Sequence, residues 1–456
     1  MISRWTQNKN ISSNIHSLLG NGIQAALGFI TFLVVVRFTD KLVFGNWVIF
    51  ITVATLMDML RLGLTGTATI RMISVGQKND RYNSIGASYQ LSLVSSFLIS
   101  SVFLLIYFVM ITMGLNTTYS YVFLFYPILA FSNIPFNQST IIAQGKCLFL
   151  RLAVIKAINS MAILILLLLY LFFNEKFELE VLVYVYIFAN AITSLIVIIK
   201  KWDGLFHFFS GTPKTRKQIL NFGKYSTLSY ISSNLLKSSD AILLGLAPFM
   251  GAEYVAIYAI PFKFVEMIEV VLRSFATTAF PTLSKLIKNQ IHKFYAHLQT
   301  YIVITTLLFI PIVIVFILFP DLFLSILGGD NYVQDIQVQK NILYIISVYI
   351  LFLPLDRFTG VALFALDKAK LNFLKIMFML CLNLIFDFIA IYLFKSLELV
   401  AFATLFFTIF GVILGWVYIN QVLSVEYGIN IKRSKNILKQ LLQLGQWKKI
   451  KEEIIH

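Results

Sequence analysis

The sequence predicts an all-α integral membrane protein: about twelve transmembrane helices in two six-helix lobes around a central cavity. Three observations lead there. First, 59% of the 456 residues are hydrophobic and only 13% charged, and the runs at 23–36, 91–113, 161–173 and 302–319 are nearly free of charge. A bilayer core about 30 Å thick takes roughly 20 residues of helix to cross, so such runs read as spans. Second, the basic residues alternate. With both termini inside, 27 of the 37 Lys and Arg fall in cytoplasmic segments and five (Arg37, Lys41, Lys176, Lys340, Lys395) in outer ones, the bias expected of a polytopic protein with an even number of crossings. The formal charge of +16 is thereby explained by orientation, and no nucleic-acid partner is implied. Third, one polar stretch recurs. A shift of 211 positions lays Asp58 on Glu269, Gly63 on Ser274, Thr67 on Thr278, Ala68 on Ala279 and Trp47 on Tyr258, with Arg61 falling one residue short of Arg273. Matching charged helices in two halves suggest a polar site between repeats, as in secondary transporters.

The spans fall near 15–38, 44–70, 84–113, 118–144, 151–173, 180–199, 222–247, 254–283, 298–319, 339–366, 370–394 and 398–423. The first follows a basic N-terminus but is too long for a signal peptide and lacks a small-residue cleavage site, so it is expected to remain as a permanent helix. It opens polar, with Ser12, Ser13, Asn14, His16, Ser17, Asn21 and Gln24. The seventh does so more strongly, from Ser226 through Ser233, Asn234 and Lys237 to Asp240. Polar groups without partners in hydrocarbon cost several kcal/mol each, so this face is expected to line water. Close packing of serines between helices is the alternative.

In the second span Asp58, Arg61 and Thr65 lie within about 60° on the helical wheel, and in the eighth Lys263, Glu266, Glu269 and Arg273 span about 120°. Spacings of three and four bring acid and base together, which lowers the cost of burying either. A charge inside a span is a functional-site candidate; structural ion pairing, or snorkelling of Arg273 to the surface, would produce the same pattern. The third to sixth spans are the most apolar of the first half, with Pro127 and Pro135 expected to kink the fourth. The tenth carries Pro354 beside Asp356 and Arg357, expected as an ion pair, and the eleventh has Asn383 and Asp387 on one face. These mark a second polar site, for structural pairing or for a coupling cation.

The basic connection 200–222, with Ser210, Gly211 and Pro213, is the expected linker. It divides an N-terminal lobe (1–205) from a C-terminal lobe (206–424), followed by a basic amphipathic tail (425–456) lying on the inner leaflet. The longest outer loop is expected around 321–338. Two cysteines give no disulfide framework. Five scattered histidines suggest no metal site. No phosphate loop, HExxH, GxSxG or dinucleotide fingerprint is present, so neither cofactor nor enzyme activity is expected, and movement would be driven by gradients or by downstream consumption.

Several of these stretches look like those of a known family. Leu60-Arg-Leu-Gly63-Leu-Thr-Gly66-Thr-Ala68, Met250-Gly-Ala-Glu-Tyr254 with Tyr258, and Gln144-Gly-Lys146 resemble the polysaccharide exporters of the multidrug/oligosaccharidyl-lipid/polysaccharide (MOP) superfamily, most of all the O-antigen repeat-unit flippases (Wzx). The resemblance covers nearly the whole chain through loose motifs. It implies a multi-pass protein of the bacterial inner membrane that carries an undecaprenyl-pyrophosphate-linked oligosaccharide, an O-antigen or capsule repeat unit, to the outer leaflet. Membrane lipid would be a partner, as would glycan polymerase and chain-length machinery. Arg61, Lys237, Lys263 and Arg273 would form the cationic substrate site. Asp58, Asp240, Glu266, Glu269, Asp356, Arg357 and Asp387 would serve as charge partners or in proton or sodium coupling. A multidrug exporter of the same superfamily, and a membrane glycan polymerase or ligase, are the alternatives.

Overall fold

The computed structural model describes residues 22–75, 77–114, 120–286 and 291–423. Among them all regular structure is helical. The helices are α1 (Gly22–Arg37), α2 (Lys41–Val75), α3 (Lys78–Thr112), α4 (Ser120–Ser132), α5 (Ile134–Gly145), α6 (Phe149–Leu171) and α7 (Leu179–Ile199), then α8 (Pro213–Leu246), α9 (Ala252–Leu286), α10 (Ile291–Leu318), α11 (Pro320–Gly328), α12 (Ile336–Ala365), α13 (Ala369–Phe388) and α14 (Leu397–Leu423). Short 3-10 segments occupy Leu205–Ser210 and Gly329–Asp335, and a π-helical turn, Ile389–Phe394, follows α13. The polar residues expected to open the first span before Gly22, and the tail 425–456, lie outside the described residues.

Among the described residues eight helices are long and apolar enough to cross a bilayer, and α1 and α4 are shorter apolar helices. This is the expected all-α, multi-pass architecture. Helices α8 and α9 are long, at 34 and 35 residues, and carry charged residues along their length, among them Lys237, Asp240, Lys263, Glu266 and Arg273.

The repeat shows in the helix ends. Shifting Lys41 by 211 residues gives Ala252, so α2 and α9 begin in register. Two turns correspond as well. After α5, Cys147 takes a left-handed conformation and Leu148 N–H donates to the Ala143 carbonyl; after α12, Asp367 does the same and Lys368 N–H donates to Leu363. This helix-ending turn satisfies carbonyls the helix leaves open.

Cα packing divides the chain into two compact units, Met1–Ala259 with Leu327–Gln334, and Ile260–Ile326 with Asp335–His456. The first unit has a core of Phe50, Phe103, Val122, Tyr126, Leu129 and Val183 from α2, α3, α4 and α7. Within it α2 comes so close to the start of α9 that a Cβ on Gly45 would overlap the Ala252 carbonyl.

Three details differ from the sequence expectation. Pro127 is carried inside α4, and the interruption falls at Asn133, ahead of Pro135. There Ser194 of α7 enters the backbone ladder: its hydroxyl donates to the Ser132 carbonyl at 2.5 Å and accepts from Phe136 N–H at 3.2 Å. A side chain inserted between i and i+4 groups is a recognised cause of helix bending. Secondly, α3 is not uniformly apolar. Ser84, Ser88, Ser92, Ser96 and Ser100 form a buried stripe at four-residue spacing, so one face of α3 is narrow and able to hydrogen-bond. Thirdly, the expected outer loop is ordered as α11 and the Gly329–Asp335 turn, where Asn331 Nδ2 donates to the Thr39 carbonyl at 3.0 Å and Lys41 lies over the Tyr332 ring.

Candidate functional site

The charged residues inside the helices fall into separate groups, and their burial differs. In the first unit Asp58 and Arg61 sit one turn apart on α2 and pair at 2.5 Å. Arg61 is only 4% exposed. Its Nη1 donates to Ser96 Oγ and to the Ala130 carbonyl, both at 2.6 Å. Asp58 also accepts from Asn133 Nδ2 at 3.0 Å and from Tyr126 Oη at 3.3 Å. The pair therefore ties α2 to α3 and to the α4/α5 interruption, and it accounts for the carboxylate and for both terminal guanidinium nitrogens. The network continues toward the α3 stripe, where Gln138 Nε2 donates to Ser92 Oγ at 2.8 Å and Thr65 lies 3.4 Å from the same hydroxyl. Sequence reasoning found Asp58 and Arg61 through their spacing. It missed Ser96, Asn133, Tyr126 and Gln138, which reach them only through tertiary packing.

Also in the first unit, Asp240 on α8 is buried and accepts from Tyr258 Oη at 2.5 Å. Lys237, one turn earlier, is exposed. The side chains of Ser226, Thr227 and Ser229 are outside the described residues.

In the second unit Lys263 pairs with Glu266 at 2.6 Å, and Glu266 is 66% exposed. Arg273 is exposed, with Nε 3.3 Å from the Glu269 carbonyl. These α9 charges recur at spacings of three and four without the enclosure of the α2 pair.

The second unit also holds an ion pair that the sequence reading misassigned. Asp356 on α12 pairs with Lys375 of α13 at 2.7 Å, and its neighbour Arg357 is exposed. Lys375, which the charge alternation places at the inner surface, is 2% exposed. It also donates to the Asp356 carbonyl at 3.2 Å and to Thr359 at 3.4 Å. Helix α14 fits against this pair through small residues: a Cβ on Gly411 would press on Met379 and Asp356, and one on Gly415 on Thr359. Nearby on α13, Asn383 Nδ2 donates to Asp387 at 2.8 Å, both residues fully buried. Among the described residues no group of three or more His, Cys, Asp or Glu could hold a metal ion.

Comparison with known proteins bears on what these groups serve. The family model described as polysaccharide biosynthesis protein matches residues 11–287, and the MatE family model matches 226–389. No curated protein matches the sequence. Among solved structures, an inward-facing multidrug resistance MATE family transporter of the MOP superfamily superimposes with a TM-score of 0.72 at 16% identity, covering 91% of this chain and 100% of that one. The lipid II flippase MurJ, in an inward closed conformation, also gives 0.72, at 15% identity over 94% of this chain and 92% of that one. A MOP superfamily transporter from Pyrococcus furiosus, described by the reverse polarity of its binding pocket, gives 0.63 at 17% identity over 91% and 95%. At these identities the likeness is one of fold. The sequence match covers more than half of the chain, so the protein belongs to the polysaccharide biosynthesis protein family, and its fold is that of MOP-superfamily flippases and transporters.

Proposed function

We propose that this protein is a flippase that moves an undecaprenyl-pyrophosphate-linked oligosaccharide, an O-antigen or capsule repeat unit, from the cytoplasmic to the outer leaflet of the bacterial inner membrane by alternating access. The observation that carries the reading is the family match over residues 11–287. The polar character of α8 and α9 supports it, since these helices bear the exposed bases Lys237 and Arg273 and the partly buried Lys263.

The physical problem such a substrate poses is charge. A pyrophosphate and several sugars cannot cross hydrocarbon unaided, because each unpaired charge and hydroxyl costs several kcal/mol to bury. The prenyl tail needs no such shelter and stays in lipid. Cations on water-lined helices attract the phosphates strongly, and an Arg can do so with two parallel bonds. Direct contact falls to Lys237, Lys263 and Arg273, since Arg61 is spent on Asp58, Ser96 and the Ala130 carbonyl. Glu266 and Glu269 hold the α9 bases between cycles. Proton or sodium coupling is assigned to the acids Asp240 and Asp387, since Asp58 and Asp356 are held by Arg61 and Lys375. Nothing in this task makes or breaks a covalent bond, so no enzyme chemistry is required.

The test is complementation of a strain lacking its own flippase with several defined glycans. Restored surface glycan for at least one supports the reading, and failure with all of them, despite normal membrane insertion, contradicts it. Uptake of labelled lipid-linked glycan into vesicles, measured with and without imposed proton and sodium gradients, tests the coupling. A multidrug exporter is the second reading, favoured by the MatE match over 226–389 and by the exposed carboxylate of Glu266. It predicts resistance to cationic drugs on expression and no rescue of surface glycan.

A further inference from the structure

The connection between α7 and α8 is expected from its Gly and Pro content to be a loose tether, yet in the first unit it is clamped to α3. His207 stacks on Tyr82 with ring centroids 4.0 Å apart, and Phe208 meets Tyr89 edge to face. Gln90 Nε2 donates to the Phe208 carbonyl at 2.7 Å, and Arg216 Nη1 donates to Gln90 Oε1 at 2.9 Å. The backbones touch where side chains are absent: a Cβ on Gly86 would overlap the His207 carbonyl, and one on Gly211 would press on the Ala87 amide. Asp203 is fully buried at the head of this turn, 3.5 Å from the Tyr89 hydroxyl.

With His207 and Phe208 committed to α3, two other aromatic residues of the same segment are left outside. Phe206 is 70% exposed and Phe209 92% exposed. Leu205, Ile199 and, at the start of α6, Leu148 and Leu150 are exposed as well. The α6 start belongs to the same end of the unit, because Arg151 lies over the Trp202 ring at 5.0 Å. Leaving a Phe in water forgoes about 1.5–3 kcal/mol of burial, and apolar patches with polar rims mark interaction surfaces.

The rim of this patch is basic. Lys201 sits over the Phe206 ring at 5.0 Å, and Arg151 flanks Trp202. Burial first, then Arg151 and Arg81, hold the Lys146 ammonium below its ordinary value; burial and then Lys146 lower His207. Lys146, Arg151 and Arg81 are thus near enough to repel one another, an arrangement that an anion relieves. Exposed aromatics framed by Lys and Arg are the features of a segment lying in a membrane interface.

We propose that residues 202–210 are an interfacial foot of the first unit, with Phe206 and Phe209 among the acyl chains and the headgroup of an anionic phospholipid held against Lys146, Arg151 and Lys201. The linker then fixes one end of α8 at the level of the headgroups.

Two measurements on the full-length protein test this. In the first, Phe209→Trp is reconstituted in nanodiscs of phosphatidylcholine and phosphatidylglycerol with brominated acyl chains. The fluorescence it adds over wild type is expected to be blue-shifted and quenched by about half or more; a water-like, unquenched signal, or one shielded only when a soluble protein is added, overturns the insertion. In the second, retention of phosphatidylglycerol over phosphatidylcholine by detergent-solubilised protein is followed by native mass spectrometry. Lys146→Gln, Arg151→Gln and Lys201→Gln are each expected to weaken it about fivefold, from roughly 1 kcal/mol per basic residue near an anionic surface. Unchanged preference in all three, with Tm preserved, overturns the headgroup site.

Discussion

Helices α2 and α9 begin in register under the 211-residue shift, and both carry acids and bases at helical spacing, but they use them differently. In α2 the charges are enclosed: the terminal nitrogens of Arg61 donate to Asp58, Ser96 and the Ala130 carbonyl. In α9 Arg273 is exposed and the Lys263–Glu266 pair has its carboxylate in the open. A buried pair has little freedom to exchange partners, because separating the charges leaves one of them desolvated and uncompensated. Where one partner is open, as Glu266 is, exchanging partners leaves less charge desolvated. The duplicated helix thus supplies a fastening in one copy and an open set of charges in the other.

That contrast can be broken by substitution. The largest effect is expected from Asp58→Ala, which strands the Arg61 guanidinium in the core of the first unit and should cost about 3–5 kcal/mol. Thermal unfolding of the purified protein measures it, and Asp58→Ala combined with Arg61→Leu should recover most of the loss. A single variant as stable as wild type would mean that α2 is as permissive as α9. Next comes Ser194→Ala. It removes the hydroxyl joining Ser132 and Phe136 across the interruption, and unmet backbone groups of this kind cost about 1–3 kcal/mol; faster hydrogen exchange at Phe136 would report the same loss locally.

A smaller effect is expected at Asp203, whose carboxyl is pushed up mainly by burial. The folded chain then holds this proton more tightly than the unfolded chain does. Its contribution favours folding below the ordinary carboxylate range and is lost as the pH rises through the raised folded value. Asp203→Asn should flatten the decline in Tm as the pH rises above the ordinary carboxylate range; an unaltered pH profile would contradict the assignment. Smallest of all in stability is Arg273→Ala, expected within about 0.5 kcal/mol of wild type, as for an exposed position.

The fold was legible where one-dimensional patterns suffice. Long, nearly uncharged apolar runs located spans, and the alternation of Lys and Arg implied an even number of them. Spacing found Asp58 with Arg61 and Lys263 with Glu266. What escaped was set by packing between distant segments. Lys375 lies close in sequence to surface lysines, and nothing local announces that Asp356 of the preceding helix receives it. The α3 serines are separated by apolar residues, so the stretch reads as hydrocarbon until its four-residue period is laid against Gln138 and Arg61. Ser194 has no signature, because its role depends on a gap in another helix. The linker misled for a related reason: Gly86 and Gly211 permit close docking as readily as they permit freedom.

The central claim is that the bases of α8 and α9 hold a phosphate-bearing substrate, and transport of a lipid-linked glycan by reconstituted Lys237→Ala, Lys263→Ala and Arg273→Ala variants tests it most directly. The account predicts that each inserts normally and loses at least about tenfold in transport, the equivalent of 1.4 kcal/mol. Undiminished transport in all three would contradict it.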